Sequence, residues 1–187
     1  MRAALGFRPH SGWTTVVALG DDDGTFAVLE RRRVELIDPE LPRQMYHAAA
    51  QLGLDSGAAD LVRRAERNAR ETARHAVGAL IADLSGIRGV DVISVGLPAG
   101  KTRVPTELAT VLRSHALLHA AEGELYREVL GDACDLPVHL VAAHELAEQK
   151  EARRESLVEL GRAVGPPWRQ DEKDATICAW LALDRTV

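Results

Sequence analysis

Leu5-Gly6-Phe7-Arg8-Pro9-His10-Ser11-Gly12-Trp13 is the stretch on which the fold turns. Arg2 to Arg8 reads as a short strand with Ala3, Ala4 and Leu5 in an apolar run, and Pro9-His10-Ser11-Gly12 reads as a turn. Trp13 to Leu19 is rich in β formers. Asp21-Asp22-Asp23-Gly24 is a hairpin signal, and Thr25 to Leu36 makes a third strand. Three strands joined by tight turns form an antiparallel meander.

Downstream, the pattern changes from period two to helical spacing. A short helix is expected over Gln44 to Leu52. Ser56 can cap a long helix to about Leu84, whose apolar residues Leu61, Ala65, Ala69, Ala73, Val77, Leu80 and Leu84 keep one face. Val90 to Val95 is a strand stopped by Gly96-Leu97-Pro98. A second long helix is expected from Pro105 or Thr106 to Leu130, then a strand over Pro137 to Val141. Ala143 to Val164 is helical, Gly165-Pro166-Pro167 breaks it, and Asp171 caps a last helix ending near Leu183. The order β-β-β-α-β-α-β-α-α implies one α/β domain over residues 1–187, with a mixed five-stranded sheet and helices on both faces.

Composition narrows the function classes. With 187 residues, 46% apolar, the chain can bury a full core. Its net charge of −5 weighs against tight nonspecific nucleic-acid binding. Cys134 and Cys178 have no CxxC spacing, so reduced thiols in a cytoplasmic protein are expected. No apolar run reaches about 18 residues, and nothing at the start reads as a signal peptide, so no membrane partner is expected. The sequence leaves homo-oligomerisation open.

Four short segments in this order resemble the RNase H-like superfamily. Leu5-Gly6-Phe7-Arg8-Pro9 before Gly12-Trp13 looks like its opening strand and turn. Val92 to Pro98 and Pro137 to Val141 resemble the fourth and fifth strands of the bacterial Holliday-junction-resolvase-like branch. Asp171-Glu172-Lys173-Asp174-Ala175 looks like the segment that supplies the last catalytic carboxylate.

The resemblance implies phosphodiester cleavage by two Mg²⁺ or Mn²⁺ ions held by three or four carboxylates. Hard Mg²⁺ takes oxygen ligands, and a cation cannot replace them. The first aspartate position of the family falls on Arg8, a permanent cation. Gly96 to Gly100 offers no carboxylate after the fourth strand, and after the fifth Ala142-Ala143-His144 precede Glu145. Only Asp174, aided by Asp171, matches. These two can instead be helix caps, and Arg8 can be a structural partner of Asp174. Arg8, His10 and Ser11 are also expected to form an anion-binding rim, or, for His10 and Ser11, a solvated turn.

On the second long helix, His115, His119 and Glu122 are spaced i, i+4, i+7, in line with Leu108, Leu112 and Tyr126. This polar triplet is expected to interrupt an inward-facing stripe. It reads as a ligand set for Zn²⁺, an acid–base set, or hydrogen-bonded core residues, with His47 a further polar candidate. Arg63, Arg67, Arg70 and Arg74 form a cationic stripe suited to nucleic-acid phosphates, or a solvated face paired through Glu66 with Arg70 and Glu71 with Arg67. Arg31-Arg32-Arg33 alternates, so its charges split between faces.

Two function classes follow. The first is a binding or assembly module, nucleic-acid related, that has lost two-metal nuclease activity, with a repurposed pocket around Arg8, His115, His119, Glu122 and Asp174. The second is a metal-dependent nuclease or other hydrolase with a relocated site built from His115, His119, Glu122 and Asp174. A nucleotide-binding, actin-like relative is disfavoured, because the turn after the first strand is too glycine-poor for a phosphate loop.

Overall fold

A computed structural model of the chain describes residues 1–53 and 56–186. Strands β1 (Arg2–His10), β2 (Trp13–Asp22) and β3 (Thr25–Glu35) form the expected meander. β1 and β2 run longer than the pattern suggested. His10 pairs with Trp13 across a two-residue turn at Ser11 and Gly12, so His10 stands in the strand and not in a loop. At the second turn Asp23 and Gly24 both take positive φ, and the Asp21 carboxylate accepts from Gly24 N at 2.8 Å, which is the Asp-Gly geometry of a tight hairpin.

The helical half contains α1 (Met45–Leu52), α2 (Ser56–Arg88), α3 (Leu108–Leu112), α4 (His115–Gly131), α5 (Ala143–Ala152), α6 (Arg154–Val164) and α7 (Gln170–Arg185). Strands β4 (Asp91–Pro98) and β5 (Val138–Val141) complete the sheet in the order β3-β2-β1-β4-β5, with β1, β4 and β5 parallel. This is the five-stranded mixed sheet expected from the element order. Gly96-Leu97-Pro98 does not stop β4, because Gly96, Leu97 and Pro98 pair with His139, Leu140 and Val141.

Two long helices expected from periodicity are each divided. Ser114, in extended conformation, ends α3 and caps α4 by accepting from Leu117 N. Arg153 separates α5 from α6. The capping expected of Ser56 lies outside the described residues. Asp171 is not the cap of α7. Arg169 holds that position, and the Glu172 carboxylate accepts from its N–H at 2.8 Å.

Period-two alternation divides the core between the two sheet faces. Leu5, Phe7, Val16 and Ala18 pack under α2 and α4, whereas Ala4 and Leu19 pack under α7 with Trp180 and Leu183. Gly6 and Gly96 lie side by side on the α7 face. A Cβ at Gly6 would collide with the Ala175 carbonyl, and one at Gly96 with the Cys178 carbonyl. The two missing side chains therefore form a shallow bed in which α7 rests backbone against sheet. Arg31 fastens the approach to this helix, donating to the carbonyls of Gly165 at 2.9 Å, Pro166 at 3.2 Å and also Pro167. Arg32 points the other way, 3.6 Å from Asp83 on α2, so the arginine run divides between faces as expected.

Candidate functional sites

The alternation that puts Gly6 under α7 also puts Arg8 there, two residues on. Its Nε stands 3.5 Å from Asp174 Oδ2 and 3.9 Å from Asp171 Oδ1. Asp174 is only 5% exposed. Its other oxygen accepts from Lys150 Nζ and from Gln170 Nε2, each at 2.8 Å. Asp171 Oδ2 accepts from His10 Nε2 at 3.0 Å. The His10 ring stacks on Trp13 at 4.0 Å, and the Arg33 guanidinium lies 4.0 Å from the same indole centroid.

Charge and hydrogen bonding thus converge on the carboxylate pair from four side chains, Arg8, His10, Lys150 and Gln170. Two formal cations and an amide face Asp174, so its charge is balanced within the protein, with Arg8 Nε in ion-pair range and without a hydrogen bond. A metal ion entering here would compete with Arg8 and Lys150 for the same oxygens. Beneath, the Cys178 thiol is pushed up to about 12, by burial first and by the Asp174 charge second. It packs in the core as a small apolar group.

A cleft of about 630 Å³ opens beside this network, at the carboxyl ends of β1, β4 and β5. Arg8, His10, Ser11, Pro98, Ala99, Tyr126 and Val141 line it, with His119, Lys101 and Arg127 on the far wall. Every fully charged side chain of its lining is cationic. The Tyr126 hydroxyl is held as a neutral donor to the Arg43 carbonyl at 2.8 Å. Burial first, and then Glu122, raise its pKa above the usual phenol range.

Glu122 takes no part in that cleft lining. It is 1% exposed and turns toward α1, where Oε1 accepts from the His47 amide at 3.3 Å and lies 2.9 Å from His47 Nδ1. His115 and His119 are exposed, with their Nε2 atoms 3.2 Å apart. The expected inward stripe is therefore corrected: Glu122 and Tyr126 are buried, whereas His115 and His119, in the first turns of the same helix, are exposed. One ring nitrogen from each of His47, His115 and His119 lies within 4.8 Å of the others.

The structure does not bring Asp174 together with His115 and Glu122; two separate sites replace one expected set. His119 is the residue common to the cleft and the histidine group. The α2 stripe is also redistributed. Arg63 pairs with Asp60, and Arg70 pairs with Asp132 at 2.8 Å and Glu128 at 3.3 Å, while Glu66 accepts from Tyr46 at 2.7 Å. Glu145, the first acid after β5, pairs with Arg185. Lys150 and Gln170 were not singled out by sequence reasoning, and nothing in their local pattern marks them.

No family model matches the chain, and no curated protein matches it. Similar solved structures include Thermus thermophilus RuvC in complex with a Holliday junction substrate, at 12% identity and a TM-score of 0.49. That alignment covers 96% of this chain and 90% of that one. The human cytomegalovirus terminase nuclease domain, Mn soaked, is similar at 15% identity and a TM-score of 0.42, covering 95% of this chain and 82% of that one. No helix among the described residues is long and apolar enough to cross a membrane.

Proposed function

We propose that this chain is an RNase H-like binding module in which an internal ion-pair network stands where a two-metal centre would be. Its cleft accepts phosphodiester backbone without cutting it. The observation that carries this reading is the neutralisation of Asp174 by Arg8 and Lys150, with Gln170 donating to it, beside a cleft whose charged lining is entirely cationic. Phosphate oxygens suit Lys101 first, and then Arg8 and Arg127, which already pair with Asp174 and Glu124. The overall charge of −5 keeps the affinity modest, within the nonspecific range of about 10⁻⁴–10⁻⁶ M.

The test combines binding and cleavage on a branched DNA substrate. Fluorescence anisotropy should show salt-dependent binding, and Lys101→Glu should weaken it and lower the salt slope by about one. No product should form with Mg²⁺ or Mn²⁺. Robust metal-dependent cleavage abolished by Asp174→Asn would overturn the proposal.

A second reading, a hydrolase with relocated metal ligands, is favoured by the presence of His119 both in the cleft wall and in the histidine group. It requires phosphoester hydrolysis that is lost in His119→Ala and indifferent to Asp174→Asn.

A further inference from the structure

We infer that His47, His115 and His119 form a binding site for one transition-metal ion of the Zn²⁺ class, with Glu122 orienting His47 from behind. This site is distinct from the carboxylate network and does not depend on nuclease or DNA-binding activity.

The exposed pair supplies the first observation. His115 and His119 sit one turn apart on α4 with Nε2 atoms 3.2 Å from each other. Two nitrogens bonded to a tetrahedral Zn²⁺ at about 2.0–2.1 Å stand about 3.3 Å apart. The rings meet edge to face, at 83° to each other, and His47 meets His115 at 86°.

The buried partner supplies the second, independent observation. An ionised carboxylate can only accept, so His47 Nδ1 donates to Glu122 and the lone pair falls on Nε2. That Nε2 atom is buried and has no hydrogen-bond partner among the described residues. A carboxylate behind a histidine, fixing the tautomer that ligates, is the usual support of a metal-bound imidazole.

Charge supplies the third. Glu122 is 1% exposed, its Oε2 is also unpartnered, and no lysine or arginine pairs with it among the described residues. A buried carboxylate without a cation is costly. A dication held by His47 would supply the missing positive charge one imidazole away. Three nitrogen ligands with a fourth position left to solvent suit Zn²⁺, Co²⁺ or Ni²⁺ and exclude Mg²⁺, which takes oxygen ligands. Through His119 the open position adjoins the cationic cleft.

The experiment uses the full chain without an affinity tag, stripped with chelator and titrated calorimetrically with ZnCl₂. One ion should bind per chain. His119→Ala, at an exposed position that folding does not need, should weaken binding ~100-fold or more. Glu122→Gln should weaken it roughly 10–100-fold, and MgCl₂ should give no heat. Co²⁺ should give the intense visible absorption of a tetrahedral site. The inference is overturned if no ion binds, or if His119→Ala and His115→Ala bind within threefold of wild type. It is also overturned if both exposed variants weaken binding but Glu122→Gln, shown folded by circular dichroism, does not.

Discussion

Asp174 and Glu122 are both buried carboxylates in this molecule, and they have opposite surroundings. Asp174 meets Arg8, Lys150 and Gln170, so each of its oxygens has a donor or cation within 3.5 Å. Among the described residues Glu122 hydrogen-bonds with His47 alone, and its Oε2 has no hydrogen-bond partner. A burial ranking alone would treat the two as equivalent. Their partners show that the first is electrically closed and the second still open. Asp174 is balanced by protein cations, whereas among the described residues no lysine or arginine pairs with Glu122.

The sharpest way to break this contrast is to open the closed site. Asp174→Ala leaves Lys150 without its carboxylate and Arg8 with only Asp171 at 3.9 Å, and should cost about 3 kcal/mol in urea denaturation. A loss below about 1 kcal/mol would mean that the network is ornamental. Closing the open site comes next. Zn²⁺ at about 100 times its Kd should add roughly 2.7 kcal/mol. That gain should persist in Asp174→Ala and vanish in His119→Ala, because separate sites add. An equal loss of the zinc effect in both variants would show that the two sites are one.

Arg8→Gln is gentler. Asp174 retains Lys150 and Gln170, and Arg8 is about one-third exposed, so the loss should be about 1 kcal/mol. Salt should shrink the difference between this variant and wild type. The smallest effect is expected at His139. Burial, and then the Arg185 charge, lower its pKa. Its neutral form is therefore the one the fold prefers, so its contribution is full above the ordinary histidine value and is lost as pH falls below it. Replacing His139 with Gln should flatten that slight acid-side loss in a pH series of melting temperatures. It should leave the Asp174 and zinc comparisons unchanged.

Much of the closed site was legible in the sequence. Strand alternation from Ala4 through Gly6 fixes the face of Arg8, and the helical spacing of Asp174 with Cys178 and Leu181 turns that carboxylate to the same sheet. Their meeting follows from two local periodicities and one topology. Lys150 did not emerge, because it reaches Asp174 from a helix whose docking is set by the break at Arg153. The open site was half legible. His115, His119 and Glu122 share one helix and declare themselves by spacing, whereas His47 lies in an eight-residue helix some 70 positions earlier. Only the packing of α1 on α4 brings it in. The expectation that all three polar residues point inward failed because spacing fixes a shared face and not how far along the helix that face is covered: Glu122 and Tyr126 are buried, whereas His115 and His119 in the first turns are exposed.

The bed made by Gly6 and Gly96 sets different tolerances for insertion along the last third of the chain. An extra residue between Val164 and Arg169 disturbs the carbonyls that Arg31 holds but leaves Ala175 and Cys178 against the glycines. An extra residue between Asp174 and Cys178 cannot be absorbed by sliding, because Ala175 and Cys178 are the points where the backbone touches the glycines. The helix would keep its contact at Cys178 and swing Asp174 about 100° around the axis, away from Arg8. Length changes in relatives of this chain should therefore collect before Gln170 and be rare in the turn that follows Asp174.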